Sequence, residues 1–137
     1  MIEVWTDGLC EPINPSGTAC YGYVIKRNEK TINKDYGVVG KGPNMTNNVA
    51  EYIALIQALE KIKSLKLDKE KIMVRSDSNL LVNQMTRKWK VKAPLILPLF
   101  RKAFTLANGL DIAFRWIPRE ENEEADELCR LAYESAE

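Results

Sequence analysis

The sequence predicts an α/β fold with the element order βββαβααβα. Three observations carry this: strand-like segments on short connections at the start, a long amphipathic helix near residue 47, and two later strands each followed by helical periodicity. Met1 to Thr6 alternates, with apolar Ile2 and Val4, and Thr18 to Lys26 carries Tyr21, Tyr23, Val24 and Ile25. Both read as strands, and Thr31 to Val39 is a third. The Pro/Gly/Asn region around Glu11 to Gly17 and the tight turn Arg27 to Lys30 are too short for crossovers, so the three strands form an antiparallel meander.

Gly40 to Asn44 is a loop, after which Thr46 or Asn47 caps a helix whose apolar stripe is Tyr52, Leu55, Ile56, Leu59 and Ile62. Lys71 to Ser76 is the fourth strand, followed by a short helix from about Ser78 to Thr86. Pro94 opens a further helix with stripe Ile96, Leu99, Phe100, Ala103 and Ala107, closed by Asn108-Gly109. The fifth strand spans Asp111 to Ile117 and stops at Pro118. Asn122 then starts a terminal helix with Ala125, Leu128, Cys129 and Ala132 on one face. Trp5, Phe100, Phe104 and Trp116 are expected in the core.

Composition narrows the chemistry. The 137 residues are 45% hydrophobic and 28% charged, as in an ordinary globular chain, and no repeat or linker divides them, so residues 1–137 are expected to form a single domain. Twenty basic and 19 acidic side chains leave a net charge of +1, so any hold on nucleic acid rests on local clusters. No apolar run has the length of a signal peptide or membrane span, which makes the cytoplasm the expected location. Three cysteines without a CxxC pair, and no histidine at all, argue against zinc sites and against Ser-His-Asp or Cys-His catalysis. Acid–base or metal chemistry must therefore rest on carboxylates.

The topology says where those carboxylates go. Strand three of a meander runs parallel to strand one, so the helix after it starts at the edge where strand one ends, placing Glu51 near Asp7. A helical crossover returns strand four parallel to the sheet, so Asp77 emerges at the same edge; a parallel strand five would bring Asp126 there too. Four carboxylates without histidine or thiol make a hard, oxygen-only site, which suits magnesium, with manganese as a substitute. Two such ions can activate a water and stabilise the leaving oxygen of a phosphodiester, so in-line phosphodiester hydrolysis is the reaction this chemistry suggests. Singly, each acid also has a bland role: Asp7 in a turn, Asp77 at a helix cap, Glu51 and Asp126 complementing helix N-termini. Their joint placement favours the site.

The segments Thr6-Asp7-Gly8, Thr46-Asn47-Asn48-Val49-Ala50-Glu51, Ser76-Asp77-Ser78 and Asn122-Glu123-Glu124-Ala125-Asp126 resemble, in order and spacing, those of type I ribonuclease H. The resemblance runs along nearly the whole chain. It implies a ribonuclease H-like fold, a five-stranded mixed sheet flanked by helices, and magnesium-dependent endonucleolytic cleavage of the RNA strand of RNA/DNA hybrids with 5'-phosphate and 3'-hydroxyl products. By position it implies Asp7, Glu51, Asp77 and Asp126 as metal-binding acids, Asp7 bridging two ions. It implies hybrid contacts at Asn14, Thr46, Asn47, Asn48 and Asn79, whose other reading is loop and cap chemistry. A-form-like duplexes display 2'-hydroxyls in the minor groove, where such side chains can tell RNA from DNA.

Two features depart from the family pattern. The loop before the last helix normally carries a histidine assisting proton transfer or product release; Pro118-Arg119-Glu120-Glu121 offers Arg119, which stays protonated and can hold a phosphate but cannot serve as a base. The basic protrusion of some bacterial members is missing. What remains is Arg87-Lys88-Trp89-Lys90-Val91-Lys92, in which Lys88, Trp89 and Lys90 either bind backbone phosphates or form a solvated helix end with Trp89 as a core anchor. The acids from Glu120 to Glu127 read as a solvated helix start with Asp126 alone directed at the site, and Lys61, Lys63, Lys66, Lys69 and Lys71 as a solvated face. A monomer is the default state. Two rival functions stay open: a same-fold nuclease cleaving double-stranded RNA also or preferentially, and a non-catalytic hybrid-binding module.

Overall fold

The computed structural model describes residues 1–136 and has the element order that the sequence predicts. Strands β1 (Ile2–Glu11), β2 (Thr18–Arg27), β3 (Lys30–Lys41), β4 (Ile72–Ser76) and β5 (Ile112–Trp116) form one sheet in the order β3-β2-β1-β4-β5. The pairs β1/β2 and β2/β3 are antiparallel, while β1/β4 and β4/β5 are parallel. The mixed sheet is thus a meander extended by two crossover strands, as expected from short connections first and helical ones later.

Helices α1 (Asn47–Ser64), α2 (Asn79–Met85) and α3 (Leu97–Ala107) lie on one side, and α4 (Glu123–Ser135) on the other. The main core joins Ile2, Val4, Tyr23, Ile25 and Val74 of the sheet to Leu55, Ile56, Leu59 and Ile62 of α1. A smaller cluster of Leu9, Cys20, Cys129 and Ala132 seats α4. Burying side chains of this size stabilises the fold by about 1.5–3 kcal/mol each, so the α1 stripe is what fixes that helix against β1.

Several boundaries differ from the sequence reading. β1 runs to Glu11 instead of ending at Thr6, because its ladder with β2 continues to Glu11 opposite Thr18. Thr46 is the cap of α1, its Oγ1 accepting the Val49 N–H at 3.1 Å, and Asn47 is the first helical residue. Pro94 does not open α3: residues 94–96 make a turn, and Pro98 occupies the first turn of a helix beginning at Leu97, where a missing N–H costs nothing.

The aromatic expectation also needs correcting. Trp116 is 49% exposed, because it ends the edge strand β5. Phe104 is exposed on α3, a helix that fully buries only the small residues Ala103 and Ala107; its ring stacks on Phe100, with the Arg87 guanidinium against its face. Trp5 is half-buried between the cations of Lys26 and Arg75. Among the described residues all three cysteines are buried and free, and no helix is long and apolar enough to cross a membrane.

Candidate active site

The site begins with register. The parallel pairing of β1 and β4 ends at Thr6 opposite Ser76, so the next residue on each strand is an aspartate, and Asp7 and Asp77 leave the ladder side by side. β1 continues with β2 alone, which keeps Asp7 in extended, hydrogen-bonded backbone. After Ser76, β4 gives way to α2. Ser78 caps that helix by accepting the Leu81 N–H, and its own N–H donates to Ser76 Oγ at 3.0 Å.

Glu51 arrives from above, one turn into α1. The approach depends on Gly8: a Cβ there would lie 2.4 Å from the Glu51 nitrogen and 2.5 Å from the Ala50 carbonyl carbon. No side chain fits between β1 and the start of α1, so the glycine lets the helix rest on the strand. Gly22, paired with Asp7, does the same for the opposite helix, since its Cβ would meet the Ala125 carbonyl oxygen at 2.7 Å. Asp126 follows Ala125 on that helix.

One carboxylate oxygen from each of Asp7, Glu51 and Asp77 lies within 4.8 Å of the others. Asp7 and Glu51 are buried and Asp77 is half-buried. Burial, followed by the charge of Asp77 and then that of Asp126, pushes the Asp7 carboxyl up to about 8. Glu51 is pushed well up by burial and by the charges of Asp7 and Asp77. Burial raises Asp77 too, opposed by a hydrogen bond from Asn122 and the positive charge of Arg119. Without a counter-ion, these three carboxylates resist being charged together.

The donor set fits a divalent cation. It is all oxygen and converges at close range, and Glu51 Oε2 is a buried acceptor without a hydrogen-bond partner, which ordinarily carries a cost. Asp126 stands outside the triangle but lines the same cleft, where Arg130 Nε approaches its Oδ2 at 3.5 Å. Arg130 also reaches Glu11 Oε2 at 3.5 Å, spanning from α4 to the end of β1. Asn122 is buried and donates from Nδ2 to the Thr6 carbonyl at 2.9 Å, tying the start of α4 to the residue before Asp7.

The cleft holds about 530 Å³ and is lined by Asp7, Glu51, Asp77, Asp126, Arg119 and Arg130, with Asn14, Asn47 and Asn48 along its margin. Asn14 Oδ1 accepts the Asn47 N–H at 3.1 Å, fixing the β1–β2 loop against the start of α1. The remaining residues expected at the substrate lie outside the cleft. Thr46 is engaged as the α1 cap, and Asn79, the first residue of α2, accepts from the Asn83 side chain. Lys88, Trp89 and Lys90 follow α2 on the exposed surface, and Trp89 is 45% exposed instead of anchoring the core.

Sequence reasoning missed Arg130, Glu11 and Asn122 as parts of this edge. The four-residue spacing from Asp126 to Arg130 on a helix was the available signal for the first. No local pattern marked the reach to Glu11 or the buried role of Asn122, which join segments more than a hundred residues apart.

Known proteins share this fold. The family model described as reverse transcriptase-like matches residues 6–132. The crystal structure of LC11-RNase H1 in complex with an RNA/DNA hybrid superposes with a TM-score of 0.90 at 37% identity, covering 99% of both chains. Ribonuclease HI of Halobacterium salinarum is 35% identical over 98% of this chain and 65% of its own length. The bifunctional protein Rv2228c of Mycobacterium tuberculosis is 37% identical over 90% of this chain, which spans 33% of that relative. The match over residues 6–132 takes in Asp7, Glu51, Asp77 and Asp126, and the chain belongs to the reverse transcriptase-like family as a ribonuclease H-like domain.

Proposed function

We propose that this chain is an endoribonuclease that hydrolyses the RNA strand of RNA/DNA hybrids, leaving 5'-phosphate and 3'-hydroxyl ends. The observation that carries this reading is the convergence of Asp7, Glu51 and Asp77 in the cleft, with a buried Glu51 oxygen that lacks a hydrogen-bond partner. The likeness along the whole chain to an RNase H1 whose structure contains such a hybrid supports the substrate.

In this reading Asp7, Glu51 and Asp77, with Asp126 in the same cleft, would hold magnesium, or manganese in its place. Bound there, two ions would supply a nucleophilic water at neutral pH and neutralise the departing 3'-oxygen. The chain's own residues do the rest. Asn14, Asn47 and Asn48 line the cleft with amides suited to sugar hydroxyls and phosphates, and Thr46 and Asn79 act through the helix starts they build. Arg119 offers a guanidinium fork of donors and no acceptor, so its part is to hold a phosphate. Lys88, Trp89 and Lys90 contact the duplex backbone beyond the cleft. The chain acts as one domain and as a monomer, on cytoplasmic hybrids.

The test is cleavage of an end-labelled RNA/DNA hybrid beside an RNA duplex, with magnesium or manganese, for the wild-type protein and for Asp7→Asn and Asp77→Asn. Hybrid cleavage that disappears in both variants is expected. Equal activity of wild type and Asp77→Asn would refute the carboxylate site. Preference for the RNA duplex would refute the substrate.

A further inference from the structure

Trp116 ends the edge strand β5 with half its surface in solvent, yet its indole is not idle: Nε1 donates to the main-chain carbonyl of Asp77 at 3.1 Å. Beside it, the Ile117 N–H donates to the Ser76 carbonyl at 2.9 Å. The last residue of β5 and the one after it therefore grip the two consecutive carbonyls at which β4 turns into α2, Ile117 through backbone and Trp116 through its side chain. The neighbouring groups are already fixed, since Ser78 bonds Ser76 Oγ and caps α2.

That turn carries a carboxylate whose oxygen must lie close to those of Asp7 and Glu51. Hard cations of the magnesium class take oxygens at about 2.1 Å in near-octahedral order, so a small swing of the Asp77 backbone would open the triangle. An indole is suited to preventing it, being a rigid ring with one directional donor.

We propose that Trp116 is a positioning residue: its indole N–H sets the Asp77 main chain, and through it the cation affinity of the Asp7–Glu51–Asp77 triangle. The inference rests on the metal site of the proposed function, but it is read by a different measurement. Calorimetric titration of magnesium chloride and manganese chloride into the hybrid-free protein compares wild type, Trp116→Phe, Asp77→Asn and the double variant. Trp116→Phe keeps a ring and loses the donor.

A weakening of cation binding by about tenfold is expected, the usual scale for groups that orient a ligand. A double variant no weaker than Asp77→Asn alone is also expected, because the two residues act through one group. In cleavage assays kcat at fixed magnesium falls while KM for the hybrid stays within about twofold, and added magnesium restores the rate. Unchanged affinity in Trp116→Phe, or losses that add in the double variant, would overturn the proposal. So would a raised KM with unchanged kcat, which would make Trp116 a substrate contact. Trp116→Tyr, a second ring without the indole donor, repeats the titration if the phenylalanine protein fails to fold. Wild-type protein that binds cations without cutting hybrid would sink the proposed reaction and leave this inference to be judged on affinity.

Discussion

At the scale of single residues, Asp7 has the most to say about pH. Its folded carboxyl is pushed up to about 8 by burial and neighbouring charge, whereas an unfolded aspartate titrates near about 3.9. Between those values the folded protein holds a proton that the unfolded chain has released, so stability falls as pH rises through this window and levels off above it. Glu51, also shifted upward, acts in the same direction. In EDTA, the melting temperature should therefore decline from pH 5 to pH 8. Asp7→Asn should flatten that decline and melt about 4 °C or more above wild type at pH 8, while losing activity. Thermal melts across pH check this, and a wild-type protein that gains stability over the window would contradict the assigned burial of charge.

Elements are brought to the site by the absence of side chains as much as by their presence. Gly8 and Gly22 stand on adjacent strands and let α1 and α4 close on the sheet, with backbone atoms where a Cβ would collide. Gly8→Ala should displace the start of α1 and with it Glu51, destabilising the protein by about 1–3 kcal/mol and reducing kcat. Gly22→Ala should move α4 and Asp126 instead, leaving the Asp7–Glu51–Asp77 triangle intact. Cation titration separates the two: the loss is expected to be larger for Gly8→Ala. Equal affinities in both variants would show that α1 can shift without carrying Glu51 away.

For the molecule as a whole, a net charge of +1 leaves binding to a polyanion to local groups. Lys88 and Lys90 lie on the exposed surface beyond α2, outside the cleft. If they meet duplex phosphates, Lys88→Ala combined with Lys90→Ala should raise KM for the hybrid, leave kcat nearly unchanged, and reduce the salt dependence of binding by about two phosphate contacts. Binding measured from low to moderate salt checks this. An unaltered slope would make the segment a solvated helix end, the other reading of its sequence.

How much was legible beforehand follows from the range of each interaction. The order of elements, the antiparallel start, the α1 stripe and the gathering of four acids at one sheet edge could be read because periodicity, turn chemistry and crossover handedness are short-range or topological rules. The same rules could not separate Asp126, beside Arg130, from the close triangle of the other three acids. They also misplaced Trp116 and Phe104, whose hydrophobicity said core while an edge strand and a thinly covered helix left them in water. The sequence by itself determined which groups are available for acid–base or metal chemistry, since without histidine only carboxylates were left for it. The tertiary structure alone decided their spacing, through the Thr6–Ser76 register, the clearances at Gly8 and Gly22, and the reach of Trp116 and Asn122 to backbone far along the chain. Such contacts depend on packing in three dimensions, and no local pattern in the chain encodes them.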